Sequence, residues 1–334
     1  MARPRKMASS KEAPQTPITA KGARRLKSWH EIPSWQQDNE YILSGYRQAT
    51  GSFKSCCESL GYVHNETVNI YSHVIGAATF LTAPIYYYRA LYLRYPLATQ
   101  ADVFVSSTFF YGVSICFILS ATYHIISNHS PEVQRFGNQL DYLGIVILMW
   151  GSTIPSIYYG FYCDSRLQKI YWANVSTLAT LCVVATLHPR FRHPDIRPYR
   201  AAMYAGLGLS AVVFVMHGIL LHGWTVQNRR MSLDWMGLVA LFNLMGAVIY
   251  AARVPEKLRP LRYDIYGNSH QVLHVAVVLA GLAHMFGLSR AFDYLHTHGS
   301  FLDVSYSAKC TNSTNKDKYS IDLESSRRRT IFMA

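Results

Sequence analysis

Between residue 68 and residue 292 the chain is a succession of apolar runs, each about 20 residues long. An α-helix of that length crosses a hydrocarbon core of about 30 Å. The apolar material therefore makes a membrane bundle rather than a water-soluble core. Charge usage agrees: a soluble chain carries about 25% charged residues, whereas this one carries 15%, clustered between the runs. The expected fold is an all-α membrane protein, a seven-transmembrane helix bundle over 68–292. The spans are expected at 68–93, 102–127, 138–161, 168–187, 199–222, 232–252 and 270–292. They follow a disordered basic tail (1–30) and a cytoplasmic amphipathic segment before the first span (31–67), and a polar C-terminal tail (293–334) comes after them.

With seven spans the termini lie on opposite sides. Loops on the N-terminal side carry Arg135, Arg190, Arg192, Arg197, Arg200, Arg253, Lys257, Arg259 and Arg262, and ten further Lys and Arg precede the first span. The opposite loops carry only Arg89, Arg94, Arg166, Lys169, Arg229 and Arg230. Positive charge marks the cytoplasmic side, so the N-terminus is expected in the cytoplasm and the C-terminus outside or in the lumen. The net charge of +13 is thereby read as topology, and no nucleic-acid partner is expected. Residues 1–30 hold no apolar segment, so no cleavable secretory signal is expected there. In the segment that follows, Trp35, Tyr41, Ile42, Leu43, Tyr46, Phe53 and Leu60 are spread among polar residues, and Pro33 falls near a helix start.

The six cysteines, Cys56, Cys57, Cys116, Cys163, Cys182 and Cys310, contain no C-x-x-C pair. This argues against a thiolate metal site and a disulfide framework; Cys163 and Cys310 fall on one side of the membrane, where a bridge between them can form but is not the expectation. Asn312-Ser313-Thr314 is a glycosylation acceptor in the tail expected outside. The last span has no lysine for a retinal Schiff base, and the third does not end in Asp-Arg-Tyr. The orientation is also opposite to that of G-protein-coupled receptors.

The chemistry concentrates at one depth. Span two ends Ser120-Ala121-Thr122-Tyr123-His124, span three begins Asn138-Gln139-Leu140-Asp141-Tyr142, and span seven begins Ser269-His270-Gln271-Val272-Leu273-His274. Span parity brings all three clusters to the same end. His270 and His274, four apart, share one helix face, and ionisable groups at membrane depth face interior sites. His124, His270 and His274 fit a zinc site with three protein ligands and an open position. Asp141 is then a fourth ligand or the group that holds and deprotonates a water. Ser120, one turn before His124, is placed to hydrogen-bond that water or a reacting carbonyl. The other reading of the same clusters is a hydrogen-bonded network joining spans two, three and seven; spacing and depth leave both open. Thr67 or Asn65 is expected to cap the first span, with Asn69 and His73 either supporting the ligands or packing helices. His284, about 15 Å beyond His274 along the helix, and His217 and His222 are expected to pack or to reach the surface.

Taken together, His64-Asn65-Glu66-Thr67-Val68-Asn69-Ile70-Tyr71-Ser72-His73, Ser120-Ala121-Thr122-Tyr123-His124, Leu140-Asp141-Tyr142-Leu143-Gly144-Ile145 and Ser269-His270-Gln271-Val272-Leu273-His274 resemble the progestin and adipoQ receptor family. That family includes adiponectin receptors, fungal zinc-homeostasis and osmotin-receptor-like proteins, and hemolysin III relatives. The resemblance covers about residues 31–292 and is closest to the fungal members. It implies a cytoplasmic N-terminus and a zinc ion near the cytoplasmic face. The implied ligands are His124, His270 and His274, with Asp141 binding through water and Ser120 nearby.

Two functions follow as expectations. One is an intramembrane lipid amide hydrolase, ceramidase-like, with Asp141 as general base and Ser120 assisting at the oxyanion. The other is a signalling receptor for an extracellular protein or a sterol, in which zinc is only structural. Expected partners are membrane lipids (ceramide or sterol-like) and an extracellular protein ligand. The oligomeric state is left open, a homo-oligomer included. The expected location is the plasma membrane or an endomembrane. A zinc transporter is disfavoured, because no acidic or histidine path crosses the bundle.

Overall fold

The computed structural model describes residues 26–90, 92–95, 98–188 and 197–297. Residues 1–25, Arg190, Arg192, Cys310, the Asn312-Ser313-Thr314 acceptor and nearly all of the C-terminal tail lie outside these. The described residues fold almost wholly into helices: α1 (Phe53–Glu58), α2 (Thr67–Ala90), α3 (Gln100–Ile126), α4 (Pro131–Gly160), α5 (Ser165–Leu187), α6 (Arg197–Met231), α7 (Leu233–Ala252) and α8 (Ser269–Thr297). Seven of them, α2 to α8, are long and apolar enough to cross a membrane. Their outer faces suit lipid: on α7, Leu241, Leu244 and Val248 are all more than half exposed, an apolar surface that water would penalise.

Two boundaries differ from the sequence expectation for identifiable reasons. α4 starts at Pro131 rather than 138, because Ser130 Oγ accepts the Val133 N–H and proline occupies the first turn. α8 continues to Thr297, its last turn held by polar contacts: Thr297 Oγ1 donates to Tyr95 Oη at 3.2 Å and His296 lies 3.2 Å from Asp102. The fifth span ends where expected. At Gly223 the backbone turns to φ 75°, ψ 161°, values a side chain rarely permits. The chain then folds back, so that Gln227 Nε2 donates to the Gly160 carbonyl.

α3 is the hub, packed against α2 and α4. Glycine lets the α3 and α4 backbones meet: a Cβ on Gly144 would lie 2.9 Å from Cys116 Cα, and one on Gly151 would lie 2.5 Å from the Thr108 carbonyl oxygen. The middle and far half of the bundle are filled by Phe80, Phe109, Phe117 and Phe292 with Tyr87 and Tyr159. A second apolar core joins α4, α5 and α6 through Val146, Ile157, Phe161, Val175 and Phe214.

The segment before α2 is built of short turns packed on protein. It makes two short 3-10 turns, Trp29–Glu31 and Ser34–Gln36, with Pro33 just before the second, and then α1. Ile32, Ile42 and Tyr46 close over Trp29 in a small apolar cluster. The segment bonds to the end of α3 and to the α7–α8 loop, so it forms a protein layer over one end of the bundle.

One cysteine expectation is overturned. Cys163 is disulfide-bonded, whereas Cys56, Cys57, Cys116 and Cys182 are free. It lies in the α4–α5 turn, at the end of the bundle away from His124. Cysteine spacing reveals local frameworks, and Cys163 has no cysteine near it in the sequence.

Candidate metal centre

His124 sits on the last turn of α3, and His270 and His274 occupy the first two turns of α8. The three rings form a nearly equilateral triangle, with centroids 5.1 Å (His124–His270), 4.7 Å (His124–His274) and 4.9 Å (His270–His274) apart. One ring nitrogen from each lies within 4.8 Å of the others. His124 Nε2 and His274 Nδ1 are buried without a hydrogen-bond partner. Buried polar atoms are rarely left unpaired unless water or an ion serves them. Three convergent imidazoles, two of them with an orphaned nitrogen, fit a divalent transition metal, and half-buried His270 leaves one side of the triangle open.

Residues around the triangle orient it. Glu66 Oε2 lies 2.8 Å from His124 Nδ1 and also accepts from Asn69 Nδ2 at 2.6 Å. With Nδ1 engaged, Nε2 of His124 is the nitrogen that faces the other two rings. A carboxylate behind a ligand histidine sets ring orientation and tautomer in metal sites. Burial works to raise the Glu66 carboxyl, but attraction to His124 and the hydrogen bond between them outweigh it and hold the group well below the usual carboxylate range. Glu66 is itself fixed by His64, whose Nδ1 accepts the Glu66 N–H at 3.1 Å. Burial, then the nearby Arg47 charge, pushes the His64 imidazole down to about 3, so it stays neutral and able to accept. The start of α2 is thus capped by the His64 ring; the Thr67 hydroxyl instead accepts from the His64 N–H.

His73 stacks on His274 at 4.0 Å and on Phe117 at 4.5 Å, so both Asn69 and His73 touch the ligand shell. Tyr250 of α7 lies 5.0 Å from the His270 ring. Ser120 is buried one turn before His124. Asp141 is half-buried on α4, outside the triangle but within electrostatic reach of His270 and Tyr123. Away from the triangle, His284 Nε2 lies 3.1 Å from the Ser152 carbonyl oxygen and His217 Nδ1 lies 2.6 Å from the Tyr171 hydroxyl, while His222 Nε2 is buried without a hydrogen-bond partner.

Glu66 escaped the sequence reading, although a signal existed. Metal-bound histidines usually carry a carboxylate partner, and Glu66 is an acid at the same depth, at the start of the first span. Arg47, Glu256 and Gln271, which tie down the helix ends around the site, carried no such signal.

The chain has relatives among known proteins. The family model described as haemolysin-III related matches residues 61–285. An adiponectin receptor protein of Drosophila melanogaster is 38% identical over 266 residues, covering 80% of this chain and 59% of the fly protein. The ADIPOR-like receptor IZH2 of Saccharomyces cerevisiae is 37% identical over 273 residues, 82% of this chain and 86% of the yeast protein. The progestin and adipoQ receptor-like protein 1 of Caenorhabditis elegans is 37% identical over 268 residues, 79% of this chain and 60% of the worm protein. The chain thus spans about three-fifths of the fly and worm relatives.

Proposed function

Because this chain belongs to the haemolysin-III-related family, with adiponectin-receptor-like relatives, and is an integral multi-pass membrane protein, we propose that its histidine centre holds zinc and hydrolyses a lipid amide inside the bilayer, a ceramide being the substrate class. The observation that carries this reading is the convergence of His124, His270 and His274 at one end of the bundle, with a nitrogen of His124 and one of His274 orphaned.

Bound there, zinc supplies a Lewis acid that acidifies a water and polarises a carbonyl. Asp141 then accepts the proton of the attacking water and passes it to the leaving amine. Ser120 donates a hydrogen bond to the carbonyl oxygen as negative charge develops on it. Glu66, through His124, keeps the ligand ring oriented. The amide C–N bond breaks, giving a fatty acid and a sphingoid base. Asp141→Asn should retain metal and lose turnover of a ceramide substrate. Unchanged turnover would remove Asp141 from the role of base.

The names of the relatives favour a second reading, in which the protein is a signalling receptor for an extracellular protein or a sterol and zinc only clamps α3 to α8. The two are compatible if the ligand regulates hydrolysis. Zinc transport has less support, because Phe80, Phe109 and Phe117 fill the bundle beyond the histidines. The cytoplasmic placement of the histidine end has two supports: positive charge concentrates in the loops of that end, and the Cys163 disulfide lies at the other end, where an oxidising compartment suits it. The plasma membrane and endomembranes both meet that condition.

A further inference from the structure

The ligands ride on two helix ends that face the same protein layer. α3 ends just after His124, and the last carbonyls of a helix have no intrahelical partners. α8 begins just before His270, and its first N–H groups are likewise orphaned. Each of these ends meets one buried charge of the complementary sign.

Arg47, from the segment before α2, is 3% exposed and spends its guanidinium on the end of α3. Nη2 donates to the His124 carbonyl at 2.5 Å and to Ser127 Oγ at 3.0 Å; Nη1 donates to the Ile125 carbonyl at 2.9 Å and to Ser59 Oγ at 2.9 Å. Glu256, from the α7–α8 loop, is fully buried. Its Oε2 accepts the Ser269 N–H at 2.8 Å, and its Oε1 accepts from Ser269 Oγ and from Asn39 Nδ2, the latter at 3.1 Å. A cation at a helix C-terminus and an anion at a helix N-terminus are both the favourable sign for the helix dipole. Gln271 completes the join: its Nε2 donates to the Asn65 carbonyl at 3.0 Å and the Ile265 carbonyl at 2.8 Å. The same layer therefore grips His124 by its backbone through Arg47 and by its ring through Glu66, and holds His270 by the residue before it.

We propose that Arg47 and Glu256 are positioning residues of the metal centre, fixing the end of α3 and the start of α8 so that His124 meets His270 and His274. The affinity of the centre is thus set from residues 39–66 and 256–269, neither of which supplies a ligand. This inference rests on the metal reading above. A shift of either helix end moves a ligand nitrogen off its mark, which metal affinity reports before the fold is lost.

The test uses the full chain purified in lipid nanodiscs, with zinc affinity measured by chelator competition and the melting temperature recorded with and without zinc. Wild type is compared with Arg47→Gln, Glu256→Gln and the control Asp102→Asn, which removes a buried charge at the opposite end. Arg47→Gln and Glu256→Gln should each weaken zinc binding about 10–100-fold, the range for groups that orient ligands, and should shrink the zinc-induced rise in melting temperature. Asp102→Asn should lower the melting temperature and leave zinc affinity unchanged. Glu256→Gln is nearly isosteric and carries the test alone if Arg47→Gln does not fold. Wild-type affinity in the two variants, or an equal loss in Asp102→Asn, would overturn the proposal while leaving the metal reading intact. Absence of zinc binding in wild type would overturn both.

Discussion

Two carboxylate–histidine pairs lie at opposite ends of one helix. At the last turn of α3, Glu66 lies 2.8 Å from His124; at its first turn, Asp102 lies 3.2 Å from His296. By residue type they look alike, although the Glu66 side chain is 27% exposed and Asp102 is fully buried, and they do different work. Asp102 is the acid of a capping box: its Oδ2 accepts from Thr99 N at 2.9 Å and from Thr99 Oγ1 at 2.8 Å, while Oδ1 accepts from the Tyr159 hydroxyl at 3.2 Å. One carboxylate there is saturated by its own helix start and by α4, and it meets one imidazole. At the other end a carboxylate engages one nitrogen of His124 and leaves the second directed at two further imidazoles. A buried acid–base pair alone does not mark a site; the mark is convergence of several orphaned ligand atoms on one point.

That contrast can be broken by substitution. The largest effect is expected from His124→Ala, which should lose the metal, while His284→Ala, two helical turns and more beyond the triangle on α8, should keep it; elemental analysis of both variants decides. Next comes Glu66→Gln, where loss of the anion behind His124 should weaken zinc binding about 10–100-fold, read by chelator competition. Asp102→Asn should act on stability alone. Loss of a cap and of one partner in a buried pair costs about 2 kcal/mol or more, visible as a lower melting temperature with metal content unchanged. The smallest effect is expected at Arg135, paired with Glu132 at 3.3 Å on the histidine end but with both side chains about 70% exposed. Arg135→Ala should change stability by about 0.5 kcal/mol or less and metal binding not at all. A clear loss of zinc in that variant would mean that general charge at this end, rather than the histidine triangle, holds the ion.

The seven spans were legible in the sequence because hydrocarbon tolerates only long apolar helices, and their order follows from loop charge and length. The three histidines were legible because span parity fixes depth, and a four-residue spacing fixes a helix face. The start of α4 is written in Ser130-Pro131-Glu132, a cap followed by proline, whereas the apolar run begins seven residues further on, at 138. What the sequence did not reveal depends on contacts between distant segments. Arg47 reaches carbonyls 77 and 78 residues away, and Asn39 meets Glu256 across 217 residues. The two acids of the α7–α8 loop, Glu256 and Asp264, look like surface charges in the sequence; both are fully buried, turned toward the layer beneath.

The most direct measurement is the metal content of the purified full chain, wild type beside His270→Ala, by elemental analysis. About one zinc per chain in wild type, lost in His270→Ala, is the result expected of a three-histidine centre. No zinc in either protein would contradict it, leaving a hydrogen-bonded clamp between α3 and α8 and a receptor without metal chemistry.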